Sequence, residues 1–147
     1  MTSLKFIVFF LIFIIAVHAL ALVNYWYWTY QWLDIPMHFL GGFWVAMVFF
    51  WLRGSTSQIL SQIREEVEPR KIKIVIIVVS CLSFVALIGV LWEFVEFLYD
   101  VFISSRGYSG FLQLGAADTI ADLFFDILGG FVFIVIYRVF KPLSPRV

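Results

Sequence analysis

Four stretches of about 20 mostly apolar residues follow one another along this chain, near positions 6–23, 35–52, 74–99 and 120–139. A helix rises about 1.5 Å per residue and the hydrocarbon core of a bilayer is about 30 Å thick, so each stretch can span a membrane. Hydrophobic residues make up 63% of the sequence, far more than in a soluble domain. The sequence therefore predicts an all-α integral membrane four-helix bundle, with residues 1–147 forming a single transmembrane domain.

One strongly polar segment, 54–73, separates the second and third stretches. Within it, Ile59, Leu60, Ile63 and Val67 recur at helical spacing before Pro69. This pattern predicts a short cytoplasmic amphipathic helix on the membrane surface, which ends at the proline. Such patterning is common, so we interpret the segment as a passive connector rather than as a binding helix.

The positions of the basic residues predict the orientation. Nine of the ten Lys and Arg residues fall on one side if the chain crosses the membrane four times, and only Arg106 falls on the other. The connector 24–33 carries no basic residue but is rich in Tyr and Trp, which is typical of an interfacial aromatic belt. We therefore expect a multi-pass protein of the cell membrane with both termini in the cytoplasm.

The first stretch has an alternative interpretation. Lys5, an apolar core and the small residues Ala19 and Ala21 also fit a cleavable signal peptide. Cleavage would leave three spans with unchanged orientation. The single cysteine, Cys81, excludes an internal disulfide, and a formal net charge of zero gives no reason to expect a nucleic-acid partner.

The acidic residues, like the basic ones, are distributed unevenly between the two sides of the predicted membrane. Three glutamates belong to segment 54–73, whereas seven carboxylates and both histidines fall in the outward half of the bundle. The carboxylates are Asp34, Glu93, Glu96, Asp100, Asp118, Asp122 and Asp126, and the histidines are His18 and His38. An ionisable group in hydrocarbon costs at least about 2.5 kcal/mol, so such groups normally face the bundle interior with partners.

Basic side chains cannot neutralise this layer, because only Arg106 lies on the same side. Shared protons, a bound cation or polar substrate groups remain, and a divalent ion such as Zn, Mn, Fe or Mg suits carboxylate and imidazole ligands. Four-helix bundles hold such ions between facing helices, although the Glu-x-x-His pairs of di-iron bundles are missing here. The predicted metal ligands are Asp34, His38, Glu93, Asp118 and Asp122, with Glu96 and His18 as further candidates.

Simpler roles exist for several of these residues. Asp34 and Asp118 each suit a helix N-cap, and Asp100 suits the headgroup water beyond the third span. His18, isolated in the first span, is more typical of a structural residue. The pairs Gly41-Gly42 and Gly129-Gly130 predict close packing between helices.

Three motifs carry a resemblance to known families. Asp34-Ile-Pro-Met-His38, then Glu93-Phe-Val-Glu96, then Asp118-Thr-Ile-Ala-Asp122 leading to Asp126 resemble the VanZ-like and YjdF-like small membrane proteins over residues 34–131. The acidic residues at positions 96 and 126 are more similar to the YjdF-like branch. The resemblance implies a protein of the cell envelope, and the VanZ-like family is associated with antibiotic resistance to teicoplanin.

These observations favour a metal-dependent membrane enzyme that hydrolyses a lipid or lipid-linked envelope substrate or transfers a group from it. Glu96 or Asp126 would then act as the catalytic general base that activates water. Arg106 could orient a phosphate, although a solvated loop arginine is the simpler interpretation. Two alternatives stay open: a cation- or proton-coupled transport protein, and a non-catalytic envelope scaffold. The sequence is compatible with an oligomer.

Overall fold

The computed structural model describes residues 3–60 and 70–140. Its helices are α1 (Leu4–Val23), the short α2 (Trp26–Thr29), α3 (Asp34–Leu60), α4 (Arg70–Phe102) and α5 (Ala116–Phe140). Two 3₁₀ turns, Gln31–Leu33 and Ser104–Arg106, complete the ordered elements, and the described residues contain no strand. The predicted all-α fold is confirmed.

Four of these helices are long and apolar enough to cross a membrane, over Leu4–Val23, Gln31–Gly54, Ile72–Arg106 and Ala116–Val139. Large apolar side chains such as Phe9, Leu87 and Phe124 are exposed on the outside of the bundle. An apolar exterior of this extent suits a lipid environment rather than water. The protein is therefore a multi-pass helical membrane protein.

Helices α3 and α4 both extend into the polar segment between them. Helix α3 continues to Leu60 and α4 begins at Arg70. The surface helix expected in segment 54–73 falls largely on residues 61–69, which lie outside the described residues. Helix α4 has 33 residues, so at about 1.5 Å per residue it is longer than the hydrocarbon core is thick.

Glycines bring α3 and α5 into close contact, and this is the most extensive helix pair of the bundle. A Cβ atom on Gly42 would overlap the backbone carbonyl of Asp126, and one on Gly129 would overlap the backbone of Phe39. On α4, a Cβ on Gly89 would come within 2.5 Å of Oδ2 of Asp126. The predicted close-packing role of the glycine pairs is confirmed at Gly42 and Gly129.

The interior is divided into a polar end and an apolar end. Every buried polar residue of the described chain lies where α3 and α5 begin and α4 ends, whereas the main hydrophobic cluster, which includes Met47, Cys81, Val85 and Phe133, lies towards the other end. Helix α1 packs along α3 at the edge of this core, where Nε1 of Trp44 donates a hydrogen bond of 2.9 Å to the carbonyl of Ile7. The fold thus places one polar layer in an otherwise apolar bundle.

Candidate metal centre

His38 lies at the centre of the polar layer, in the second turn of α3, and its side chain is 3% exposed. Its Nδ1 atom lies 3.4 Å from Oδ2 of Asp126 on α5, close enough for a hydrogen bond. This contact fixes the plane of the imidazole ring, so its other nitrogen, Nε2, has a defined direction.

Nε2 of His38 is directed at three carboxylates from three different helices. It lies 3.6 Å from Oδ1 of Asp34 on α3, 3.9 Å from Oε1 of Glu96 on α4 and 4.0 Å from Oδ1 of Asp122 on α5. These distances exceed hydrogen-bonding range, and Nε2 is buried without a hydrogen-bond partner in the described part of the chain. An unpartnered buried polar atom costs about 1–3 kcal/mol, and the charged groups nearest to this one are the three carboxylates.

Two overlapping sets of side chains offer ligand atoms within 4.8 Å of one another, Asp34 with His38 and Asp122, and His38 with Glu93 and Glu96. Donors about 2.1 Å from an ion and in tetrahedral arrangement lie about 3.4 Å apart. The separations around Nε2 are slightly longer than this. The donor atoms of each set therefore lie close to, but outside, the spacing of the ligands of a bound ion.

Glu93 presents a second unpartnered buried atom. Its Oε2 accepts a hydrogen bond of 3.0 Å from Nε2 of Gln113, while its Oε1 is buried without a partner. Glu96 accepts a hydrogen bond of 2.9 Å from Nε1 of Trp92, one turn earlier on α4. Both glutamates are almost fully buried, at 7% and 5% exposure.

Asp34 and Asp118 do not serve as N-caps. Asp34 has helical backbone angles, φ −63° and ψ −43°, whereas an N-cap residue has non-helical ones. Asp118 stands inside the first turn of α5, which begins at Ala116, and its Oδ2 accepts a hydrogen bond of 2.9 Å from the backbone N–H of Leu114. Asp118 belongs to neither of the two ligand sets, but it lines a small cavity together with Asp34 and Glu96 at the rim of the site.

The expectation that Asp100 sits in headgroup water is wrong, because its side chain is buried. Its carboxylate accepts hydrogen bonds from the backbone N–H groups of Leu112 and Gln113, at 2.8 and 3.0 Å, and from Oγ of Ser104, at 2.9 Å. These hydrogen bonds to Asp100 hold the α4–α5 loop against the end of α4, next to the site. This places Gln113 against Glu93.

His18 joins the site through Tyr27 rather than as part of a ligand set. Its Nδ1 lies 2.8 Å from the phenol oxygen of Tyr27, and its ring packs edge-on against Trp92. Burial, with smaller contributions from the charges of Asp34 and Glu96, raises the pKa of the Tyr27 phenol above its usual range. The phenol therefore stays protonated and can donate to His18.

A comparison with protein families adds to this geometry. A family model described as predicted membrane protein, DUF2238, matches residues 2–142. The chain belongs to the DUF2238 family. No curated protein and no solved structure matches it. The match confirms membership of a membrane-protein family, whereas the finer VanZ-like or YjdF-like affiliation stays a prediction.

Sequence reasoning missed two residues that shape the centre of this DUF2238 protein. Gln113 supports Glu93 from a loop, and Tyr27 pairs with His18 from the aromatic connector. Gln113 could have been found from the sequence, because it is a polar residue in the loop between two helix ends that carry acidic residues. Tyr27 could not, because it was one of many aromatic residues in a segment that suits a membrane interface.

Proposed function

We propose that this protein is a membrane-embedded enzyme that uses a divalent metal ion to hydrolyse, or transfer a group from, a lipid or lipid-linked substrate of the cell envelope. The observation that carries the proposal is the buried Nε2 of His38, which has no hydrogen-bond partner and is directed at carboxylates from three helices. Carboxylates and one imidazole form a donor set that suits Zn, Mn, Fe or Mg.

The proposed ligands are Asp34, His38, Glu93, Asp118 and Asp122. Asp34, His38 and Asp122 already lie within mutual reach, and Glu93 adds an unpartnered oxygen from α4. Asp118 is closest to the rim and would contribute from there. No lysine or arginine of the described residues lies within ion-pair distance of these carboxylates, so none competes with a cation.

The two catalytic candidates have different surroundings. Asp126 contacts the Nδ1 side of His38, the position from which a carboxylate orients a metal-binding imidazole and raises its basicity. Glu96 contacts the Nε2 side and lines both cavities next to the site. These surroundings favour Glu96 as the general base and Asp126 as the residue that positions His38. A bound ion would supply Lewis-acid polarisation of the substrate.

The division of the interior supports an enzyme over a transport protein. A cation or proton path would need polar groups across the bundle. In residues 3–60 and 70–140 the buried residues towards the far end, such as Met47, Val85 and Phe133, are apolar. A non-catalytic scaffold would not explain why four acidic residues are buried in one layer at a cost in free energy. These residues are Glu93, Glu96, Asp122 and Asp126.

The proposed location of the site is the outer half of the cell membrane, with both termini in the cytoplasm, because a four-span count of the sequence puts nine of the ten basic residues on the side opposite the acidic layer. This location matches the envelope role and the antibiotic-resistance association implied by the resemblance to VanZ-like and YjdF-like proteins. The side chain of Arg106 is exposed on the same side as the site, at the loop that follows α4.

The test is lipid turnover by purified protein reconstituted in vesicles of the expression host's total lipid extract, with products followed by mass spectrometry. We expect turnover that stops with chelator and returns with one of the four metals. Glu96→Gln should lower the rate by about 10²–10⁴-fold, the usual contribution of a general base, while bound metal is retained. No metal-dependent lipid product in the wild type would contradict the proposal.

A further inference from the structure

A cavity of about 260 Å³ lies directly beside the candidate metal centre. One end is polar, formed by Asp34, His38, Glu96 and Asp126, with His18 and Tyr27 close by. The remaining lining is apolar apart from the indole N–H groups of two tryptophans and comes from three helices, for example Ile14 on α1, Val45 on α3 and Ile88 on α4. The cavity is thus an apolar chamber with an acidic end.

Two exposed residues among the cavity's lining point to an opening between α1 and α4. Ile15 on α1 and Trp92 on α4 both line it and are exposed, at 56% and 40%. In the described chain α1 packs along α3, whereas it meets α4 less extensively, through the edge-on contact of His18 with Trp92. Ile15 and Trp92 both belong to candidate spans, so an opening between them would face lipid rather than water.

We propose that the cavity binds one hydrocarbon chain of a membrane lipid, which enters sideways between α1 and α4 and brings the lipid's oxygen-bearing polar end to the metal centre. This inference rests on the proposed function, because it assigns the substrate class of the same site. The chemistry matches at both ends: apolar cavities stay dry and take apolar molecules, and phosphate or ester oxygens are ligands for a hard divalent ion.

The size of the cavity sets how much of a lipid is enclosed. Sites that enclose a whole drug-sized ligand measure about 300–1,000 Å³. The observed volume of about 260 Å³ is smaller, so it suits part of a single chain, with the rest of the lipid left in the bilayer. A second cavity, about 30 Å³, continues from the site towards the loops and shares His18, Tyr27, Asp34 and Glu96 with the first. It is large enough for water but too small for a second chain.

Photolabelling tests the proposal with a phosphatidylglycerol that carries a diazirine on one acyl chain, mixed into phosphatidylcholine vesicles that contain the full chain. Val85 lines the cavity and is 1% exposed, so a lipid chain reaches it only through the cavity. Leu87, two residues later, is 56% exposed and does not line the cavity, so it reports contact with bulk lipid. We expect labels on Val85 and Ile88 as well as on Leu87.

A matched pair of variants on α1 sharpens the test. Ile14→Trp fills the cavity, whereas Ile12→Trp adds the same side chain to a position that is 60% exposed and does not line the cavity. We expect Ile14→Trp to lower the labelling of Val85 and Ile88 relative to Leu87 by about tenfold, and Ile12→Trp to leave the ratio unchanged. Leu11→Trp provides a second filling variant if Ile14→Trp does not fold.

Metal analysis of the same samples separates the two proposals. Bound metal together with labels on Leu87 alone would overturn the chain-binding cavity and leave the proposed enzyme intact. Labels on Val85 that Ile14→Trp removes, in protein without metal, would support the cavity and overturn the proposed chemistry. Equal labelling of Val85 in both folded tryptophan variants would overturn the cavity assignment.

Discussion

Nδ1 of His38 and Oδ2 of Asp126 lie 3.4 Å apart although the two residues are 88 positions apart in the sequence. The contact joins α3 to α5 at the level where Gly42 allows the two backbones to approach closely. It also leaves Nε2 as the only ring nitrogen available for a ligand. The close approach of α3 and α5 thus brings the imidazole of one helix into contact with the carboxylate of the other.

Asp126→Asn tests the positioning role of this pair. The amide keeps the shape of the carboxylate but loses its charge, so His38 is held less firmly and is less basic. Loss of such a partner lowers metal affinity by about 10–100-fold, which competition titration against a fluorescent chelator measures. An unchanged affinity in a folded variant would remove Asp126 from the account.

Asp122→Asn and Asp118→Asn form a pair that compares a deep ligand with a rim residue. Asp122 is 2% exposed and belongs to a ligand set, whereas Asp118 belongs to neither set and already accepts the N–H of Leu114. We expect Asp122→Asn to lower metal affinity by at least about tenfold more than Asp118→Asn in the same titration. The reverse order would place the ion nearer the loops.

Gly42→Ala and Gly129→Ala should destabilise the bundle. The added Cβ atoms would overlap the backbones of Asp126 and Phe39, which cannot move without separating α3 from α5. Overpacking costs about 1–3 kcal/mol, and backbone neighbours favour the upper part of that range. Thermal unfolding in detergent, followed by circular dichroism, measures the loss. Gly54→Ala is the control, because its Cβ meets nothing within 4 Å, and an equal loss there would contradict the packing argument.

Asp100→Ala should loosen the α4–α5 loop while leaving the spans in place. The change removes hydrogen bonds from Leu112, Gln113 and Ser104, and bonds to a charged group contribute about 1.5–3 kcal/mol each. Hydrogen exchange of the Leu112 and Gln113 amides should therefore accelerate. Arg106→Ala, an exposed change in the same loop, should not accelerate it. Unaltered protection in Asp100→Ala would show that other contacts hold the loop.

Much of this architecture follows from local pattern. Four apolar stretches predict the four spans. Because consecutive spans run in opposite directions, the sequence alone places Asp34, Glu93 and Asp122 in the same half of the membrane. Helical spacing is sufficient because residues three or four apart share a face. The acidic layer was therefore predictable as a layer.

The contacts within the layer were not predictable in the same way. Asp100 looked like an interfacial residue, but the loop that follows the end of α4 at Phe102 returns to bury its carboxylate. The pairing of His18 with Tyr27 and that of Glu93 with Gln113 likewise depend on how loops fold over helix ends. Such contacts arise from tertiary structure, and a single sequence carries no periodic signal for them.

The central claim is that His38 binds a metal ion through Nε2, and elemental analysis of purified protein tests it with the chain's two histidines as a matched pair. The account predicts a stoichiometric divalent ion in the wild type and in His18→Gln, and its loss in His38→Gln at equal folding by circular dichroism. A wild type without bound metal, or His38→Gln with full metal content, would contradict it.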